Sequence, residues 1–271
     1  MAIDKPSVLI TGAGGGLGRA IADYFHDKGY HIVATDYDPS LLSELEGREG
    51  FTTAKLDVTK VEDARNVAQM VTNELGRLDV IVNNAGVDVF CPITEAPPEK
   101  TINGFMINTF AALITTQACL DLLIASKGTV VNISSESAPL RTPFQFYQSS
   151  KLALEAISDV MRRELMVFGA HVAIIRPGAI ETPFIAGHDN ITNPIENSRY
   201  KEIFDRFAGA VAKASPKRKS KPADVAALVY HAATDPKRKT MYGMNHSLKL
   251  KIIGKIPAKL LDKLILKQLV G

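Results

Sequence analysis

The sequence predicts an α/β fold: one domain built on a doubly wound parallel sheet with helices on both faces. Three observations predict it. Short apolar runs alternate with helical stretches along most of the 271 residues. A glycine-rich loop, Thr11-Gly12-Ala13-Gly14-Gly15-Gly16-Leu17-Gly18, closes the first apolar run and opens the first helix. No Pro/Ser/Gly-rich linker, low-complexity tract or internal repeat divides the chain. Strands separated by helices take right-handed crossovers, which make the sheet parallel and cover both its faces. A chain of this length buries one large core.

The elements follow in order. Ser7-Val8-Leu9-Ile10-Thr11 reads as a buried strand and residues 17–28 as a helix. His31-Ile32-Val33-Ala34-Thr35-Asp36 is the next strand, followed by a short helix near 39–47. Further strands fall near 52–57, 78–83, 128–134 and 171–176, and longer helices near 60–76, 99–126 and 145–168. Residues 1–247 form the domain, and 248–271 a basic amphipathic tail. Ligands of such sheets bind at the carboxyl ends of the strands. The residues singled out next sit at such ends.

The glycine loop permits a tight turn and close backbone approach to a pyrophosphate, which would cap the helix N-terminus. Gly12, Gly16 and Gly18 give Gly-x-x-x-Gly-x-Gly, whereas Gly12, Gly15 and Gly18 give Gly-x-x-Gly-x-x-Gly, so spacing alone leaves both patterns open. Asp36 ends the second strand, where a carboxylate can bind both ribose hydroxyls. It would repel the extra phosphate of NADP, and the next residue, Tyr37, offers no compensating cation. Arg19 is the one base nearby. NAD is therefore expected over NADP.

Tyr147 and Lys151 lie one helical turn apart, after a strand ending in Asn132-Ile133-Ser134-Ser135. The spacing alone means little, since Tyr24 and Lys28 repeat it without a serine strand. A phenol has a pKa near 10, and lowering it to about 7 requires roughly 4 kcal/mol. An ammonium about 4 Å away, at an effective dielectric near 20, supplies roughly that much. Tyr147 can then exchange a proton with an alcohol or ketone oxygen, which Ser135 steadies by a hydrogen bond. With the glycine loop, the pair suggests hydride transfer.

Thr11 to Gly18, Asp57-Val58, Asn83-Asn84-Ala85-Gly86, Asn108, Ser135, Tyr147-x-x-x-Lys151 and Pro177-Gly178 with Thr182 occur in that order. The pattern resembles the short-chain dehydrogenase/reductase family, in its compact single-domain Rossmann-type branch, over roughly residues 7–243. The resemblance implies that Asp57 and Val58 contact adenine and that Asn84, Ala85 and Gly86 line the cofactor cleft. It implies that Lys151 also holds the nicotinamide ribose and that Asn108 positions a relay water. Ile180 and Thr182, after Pro177 and Gly178, would bind the carboxamide; the loop glycines, Gly14 included, and Leu17 would contact the cofactor. It further implies a homodimer or homotetramer and a substrate-covering segment at 183–221. Three features depart from the pattern. Ser135 precedes Tyr147 by 12 residues where many members have 13, a spacing Ser134 would restore. Glu136 is an unusual acid beside the site, and Ala111 and Ala112 stand where a glycine is common after Asn108.

Phe184, Tyr200, Phe204 and Phe207 follow Thr182, the last three on one helical face, and Phe90, Phe144 and Phe146 are expected to border the same cleft. This lining suits a lipophilic alcohol or ketone, steroid-, retinoid- or acyl-like. Residues 1–212 carry 18 Lys/Arg and 26 Asp/Glu, whereas 213–271 carry 14 and 3. Within the tail Lys251, Lys255, Lys259, Lys263 and Lys267 recur every four residues among Ile252, Ile256, Leu260, Leu264, Ile265 and Leu269. Such a pattern either lies on an anionic membrane surface or packs its apolar face on the body. No apolar stretch reaches the ~18 residues needed to span a bilayer. The first strand begins too early for a signal peptide, and Cys91 and Cys119 are too few for a disulfide framework. A cytoplasmic location is expected, with neither nucleic acid nor metal. An NADP(H)-dependent carbonyl reductase, an epimerase or dehydratase of the same family, and a non-catalytic dinucleotide-sensing protein are the competing readings.

Overall fold

The computed structural model describes residues 5–88, 90–186, 192–214, 219–245 and 248–270. Residues 187–191 and 215–218 of the expected covering segment, and the side chain of Lys251, lie outside the described ones. The chain runs β1 (Ser7–Thr11), α1 (Gly16–Asp27), β2 (His31–Asp36), β3 (Phe51–Lys55), α2 (Val61–Glu74), β4 (Val80–Asn83), α3 (Pro98–Phe105), α4 (Ala111–Ala118) and α5 (Leu120–Ser126). Then come β5 (Thr129–Ile133), α6 (Phe146–Leu165), β6 (His171–Pro177), α7 (Pro183–Ala186), α8 (Lys201–Ala214), α9 (Pro222–Thr234), β7 (Met241–Met244), α10 (Leu248–Ile253) and α11 (Ala258–Val270).

The strands form one sheet in the order β3-β2-β1-β4-β5-β6-β7, and every pairing is parallel. Alternation along β1 splits the core. Val8 and Ile10 face a layer containing Phe25 and Ile21 of α1 and Val229 of α9. Leu9 faces the other layer, with Val71 of α2, Leu123 of α5 and Met161 of α6. The strand order reverses between β1 and β4, so a crevice opens above their carboxyl ends. A buried amide ladder stiffens its floor: Asn83 Nδ2 donates to Asn132 Oδ1 at 2.8 Å, and Asn132 Nδ2 to Ser158 Oγ at 2.8 Å.

Several expected elements differ. The helix near 39–47 is a single turn, Pro39–Leu42, capped by the Asp38 carboxylate accepting from Ser40 N–H. The stretch 99–126 is three helices, interrupted by a wide turn at Met106–Phe110 and bent at Cys119. β7 carries a glycine before the half-buried Met244, begins at the exposed Met241, and buries only Tyr242. Like α9, it falls where the pattern names no element.

Residues 248–270 fold onto the domain. Ile265 and Leu269 of α11 pack against Phe144, Phe204 and Phe207, and Arg206 Nη1 donates to the Leu269 carbonyl at 3.1 Å. Among the described residues no single helix is long and apolar enough to cross a membrane; Pro98–Ala118 and Leu120–Ser126 qualify only as a pair bent by 67°.

Candidate active site

Packing dictates the glycine turn between β1 and α1. Gly12 adopts φ +66°, a left-handed conformation natural to glycine. A Cβ on Gly18 would sit 2.1 Å from the Gly12 carbonyl oxygen, so helix and turn meet only without a side chain. Asn84, at the end of β4, braces the turn from the far side: its Nδ2 donates to the Thr11 and Gly12 carbonyls at 3.0 and 3.1 Å. Thr11 Oγ1 accepts from the Asn84 and Ala85 N–H groups at 3.1 Å each. No side chain caps α1, whose first turn follows Gly15 and contains no acid. Its free N–H groups therefore face the crevice with a positive partial charge.

Asp36 is buried at the end of β2, and its Oδ2 accepts from the Gly14 N–H at 3.1 Å. Tyr37 beside it is 69% exposed, and Arg19 is engaged by Glu44 at 3.1 Å. Asp57 holds Thr59 through N–H (3.1 Å) and Oγ1 (2.6 Å), bonds that keep its carboxyl below the usual range. Val58 is buried beside it.

These groups line a continuous cleft of about 1010 Å³. It runs from Asp36, Asp57 and Val58 past the glycine loop and Asn84, Ala85 and Gly86 to Ser135, Tyr147 and Lys151. Pro177, Gly178, Ile180 and Thr182 form its roof beyond β6. Gly178 must be small, since a Cβ there would lie 2.4 Å from the Asn245 carbonyl. A Cβ on Gly16 would approach Thr182 Cγ2 at 3.3 Å, so the roof closes directly over the loop.

At the reacting end, α6 carries Tyr147 and Lys151 on one face. Lys151 is buried, its Nζ donating to the Ile133 carbonyl at 2.7 Å and lying 5.7 Å from the Tyr147 ring centroid. Burial pulls its ammonium down to about 8, opposed by the charges of Asp88 and Glu155. Burial pushes the Tyr147 phenol up, Asp88 adds to the rise, and the Ser135 hydroxyl pulls the other way. From the spacing, Lys151 is expected to lower the phenol. Burial prevails over this effect, because the ammonium stands nearly 6 Å from the ring and is itself desolvated.

The two candidate serines are held differently. Ser134 Oγ donates to Glu155 Oε1 at 2.6 Å, and Glu155 is in turn gripped by Arg176 through both carboxylate oxygens. Both border the cleft, but Ser135 Oγ lies 2.9 Å from Ser137 Oγ and its hydroxyl hydrogen-bonds the Tyr147 phenol. Asn108 sits in the wide turn at Met106–Phe110. Its Oδ1 accepts from Val87 N–H at 2.8 Å, while Nδ2 donates to the Val87 carbonyl and to Ser150 Oγ at 2.9 and 3.0 Å. It thus ties the loop after β4 to the first turn of α6.

The aromatic lining is smaller than the sequence suggests. Phe184 lines the cleft, its ring centroid 5.8 Å from that of Tyr147, and so does Phe207. Phe144 and Phe204 are buried in the cluster beneath α11, which Phe90 and Tyr200 flank, and Phe146 packs on Phe105 and over Gly104. The apolar wall is completed instead by Val211 of α8, Leu250 and Ile253 of α10, and Ile265 and Leu269 of α11. Asp88 and Gln148 also line the cleft. Neither follows from the sequence pattern, although Asp88 stands only two residues beyond Gly86.

A continuous crevice with an uncapped helix N-terminus, a carboxylate at the end of β2 and an apolar far end fits a dinucleotide with a small molecule beside it. A family model described as short chain dehydrogenase matches residues 6–190. The chain is 32% identical over 274 residues to an NADPH-dependent 3-dehydrocapnine reductase of Ornithobacterium rhinotracheale, covering 96% of each chain. It is 32% identical to a diacetyl reductase ((S)-acetoin forming) of Staphylococcus epidermidis, over 84% of this chain and 91% of that one. A solved short-chain dehydrogenase from Streptomyces avermitilis superposes with a TM-score of 0.78 at 28% identity, covering 98% and 96% of the two chains.

Proposed function

The chain belongs to the short-chain dehydrogenase/reductase family of oxidoreductases, and from that premise we propose an NAD(H)-dependent enzyme that interconverts a secondary alcohol and a ketone on a lipophilic molecule. The observation that carries this reading is the meeting of Tyr147, Ser135 and Lys151 on the cleft wall, between the glycine loop and an apolar pocket. The glycine loop, Asp36 and Asn84 to Gly86 would hold a nicotinamide dinucleotide, which would supply or accept the hydride. Tyr147 donates a proton to the ketone oxygen in reduction and takes it from the alcohol in oxidation. Ser135 hydrogen-bonds that oxygen and stabilises its developing charge. Lys151, anchored on the Ile133 carbonyl, keeps a cation behind Tyr147. Asn108 fixes the start of α6 against the loop after β4. Phe184, Phe207, Val211, Ile265 and Leu269 exclude water from the rest of the substrate.

Asp36 favours NAD. Its buried carboxylate faces the ribose end of the cleft, and the nearby cation, Arg19, is spoken for by Glu44. The relative from O. rhinotracheale is named for NADPH, so a direct comparison decides. NAD is expected to raise the melting temperature more than NADP at equal concentration, and Asp36→Ala to narrow or invert the difference. A larger shift with NADP in the unaltered protein would refute the assignment.

Lys151 predicts the pH dependence. Its folded pKa of about 8 lies below the ordinary value, so the cation is present below pH 8 and lost above it. In the direction of ketone reduction, kcat/KM should fall about tenfold per pH unit above about 8. A profile flat to pH 10 would contradict a role for the Lys151 charge. A homo-oligomer would find its apolar contact surface at Phe110, Leu120, Val160 and Val167, which are exposed on and beside α4, α5 and α6.

A further inference from the structure

We propose that α10 and α11 form a docking surface for an anionic lipid bilayer, placing the cleft mouth against the membrane from which a lipophilic substrate enters. The two helices have distinct sides. Leu250, Ile253, Ile265 and Leu269 line the cleft, and Ile265 and Leu269 also pack on Phe204 and Phe207. Away from that contact, Lys259, Lys263 and Lys267 recur every four residues, forming one exposed row along α11. Leu260 and Leu264 flank this row on one side, and Leu266 and Val270 on the other. All four are about half exposed or more, as is Ile252 of α10. None of Lys255, Lys259, Lys263 and Lys267 forms an ion pair among the described residues, and Asp262 is the lone acid of α11.

Charge complementarity selects the occupant. Residues 213–271 carry 14 Lys/Arg against 3 Asp/Glu, so the partner is anionic. A second copy of the chain docked through this face would set lysine row against lysine row, at a cost. A nucleic acid would satisfy the lysines and leave the leucines in water, whereas a bilayer surface accepts both: lysines at the headgroups, leucine side chains just below. The same two helices carry this face and, on their other side, the apolar wall of the cleft.

The full chain should co-sediment with vesicles of phosphatidylcholine containing phosphatidylglycerol and not with phosphatidylcholine alone, and high salt should weaken the binding. Replacing Lys259, Lys263 and Lys267 together with Ala should lower the partition coefficient by roughly 100-fold, about fivefold per lysine. Leu260→Ser with Leu264→Ser, which preserves charge, should lower it by about tenfold. Neither set touches the cleft or the packed face, so melting temperature and dinucleotide binding should stay as in the unaltered protein. The measurement needs no turnover and is independent of the proposed reaction. Equal partition into neutral vesicles, undiminished binding of the triple variant, or a leucine variant that binds like the parent would each overturn the proposal. The last result would mark the face as charge-only, the behaviour expected if duplex DNA competed equally.

Discussion

Tyr147→Phe is expected to lower turnover by about 10²–10⁴-fold, the range for loss of a positioned general acid/base. Dinucleotide affinity should change by no more than about twofold, because the substitution removes one oxygen and keeps the ring that faces Phe184. The phenol is the cleft-lining hydroxyl that shares a helix face with the Lys151 cation. Burial in the free protein holds its proton more tightly, which suits an acid that releases it only as charge develops on the ketone oxygen. Steady-state kcat in both directions, together with a fluorescence titration of reduced dinucleotide, separates the two effects. A Phe variant as active as its parent would remove Tyr147 from the mechanism.

Gly18→Ala is expected to weaken dinucleotide binding by at least about 100-fold and to lower the melting temperature. The added methyl would lie 2.1 Å from the Gly12 carbonyl oxygen, 2.8 Å from its carbon and 2.9 Å from Ala13 Cα. These neighbours are backbone and cannot rotate away, so the turn must open and its N–H groups lose their aim. Gly15→Ala is the informative contrast. A Cβ there meets only the Gly12 carbonyl at an ordinary 3.6 Å, so the protein should melt as before and any loss should be confined to the ligand. Calorimetric binding beside a thermal melt distinguishes the two. Equal affinities for both variants would show that the turn is not under the constraint described.

The central fold was readable because it rests on local pattern. β1, β2, β5 and β6 each centre on consecutive apolar residues (Val8–Ile10, Ile32–Ala34, Val130–Val131 and Val172–Ile175), and α1, α2 and α6 carry apolar residues at helical spacing, so each is specified by its own residues. β7 escaped because Met-Tyr-Gly-Met has strand character only once Ile174–Pro177 offer it an edge. The break in 99–126 escaped for a related reason. Asn108 is drawn into the bonds of Val87 and Ser150, which lie 21 and 42 residues away, and the helix widens to let it reach them.

The candidate site divides in the same way. Sequence by itself determined which chemistry the chain carries: a glycine turn that only glycines can make, a carboxylate ending β2, and a phenol and an ammonium one helical turn apart. These are properties of backbone conformation and near-neighbour spacing, written in the residues concerned. Tertiary structure alone decided how that chemistry is tuned. It bound Ser134 to Glu155 and Ser135 to Tyr147, brought Asp88 up to Tyr147 and Lys151, and withdrew Phe144, Phe146 and Phe204 into packing. It also folded residues 248–270 back as the apolar wall of the cleft. Burial, and hence the sign of a pKa shift or the choice between lining and core, is set by residues distant in the chain, and no local pattern records which of them will arrive.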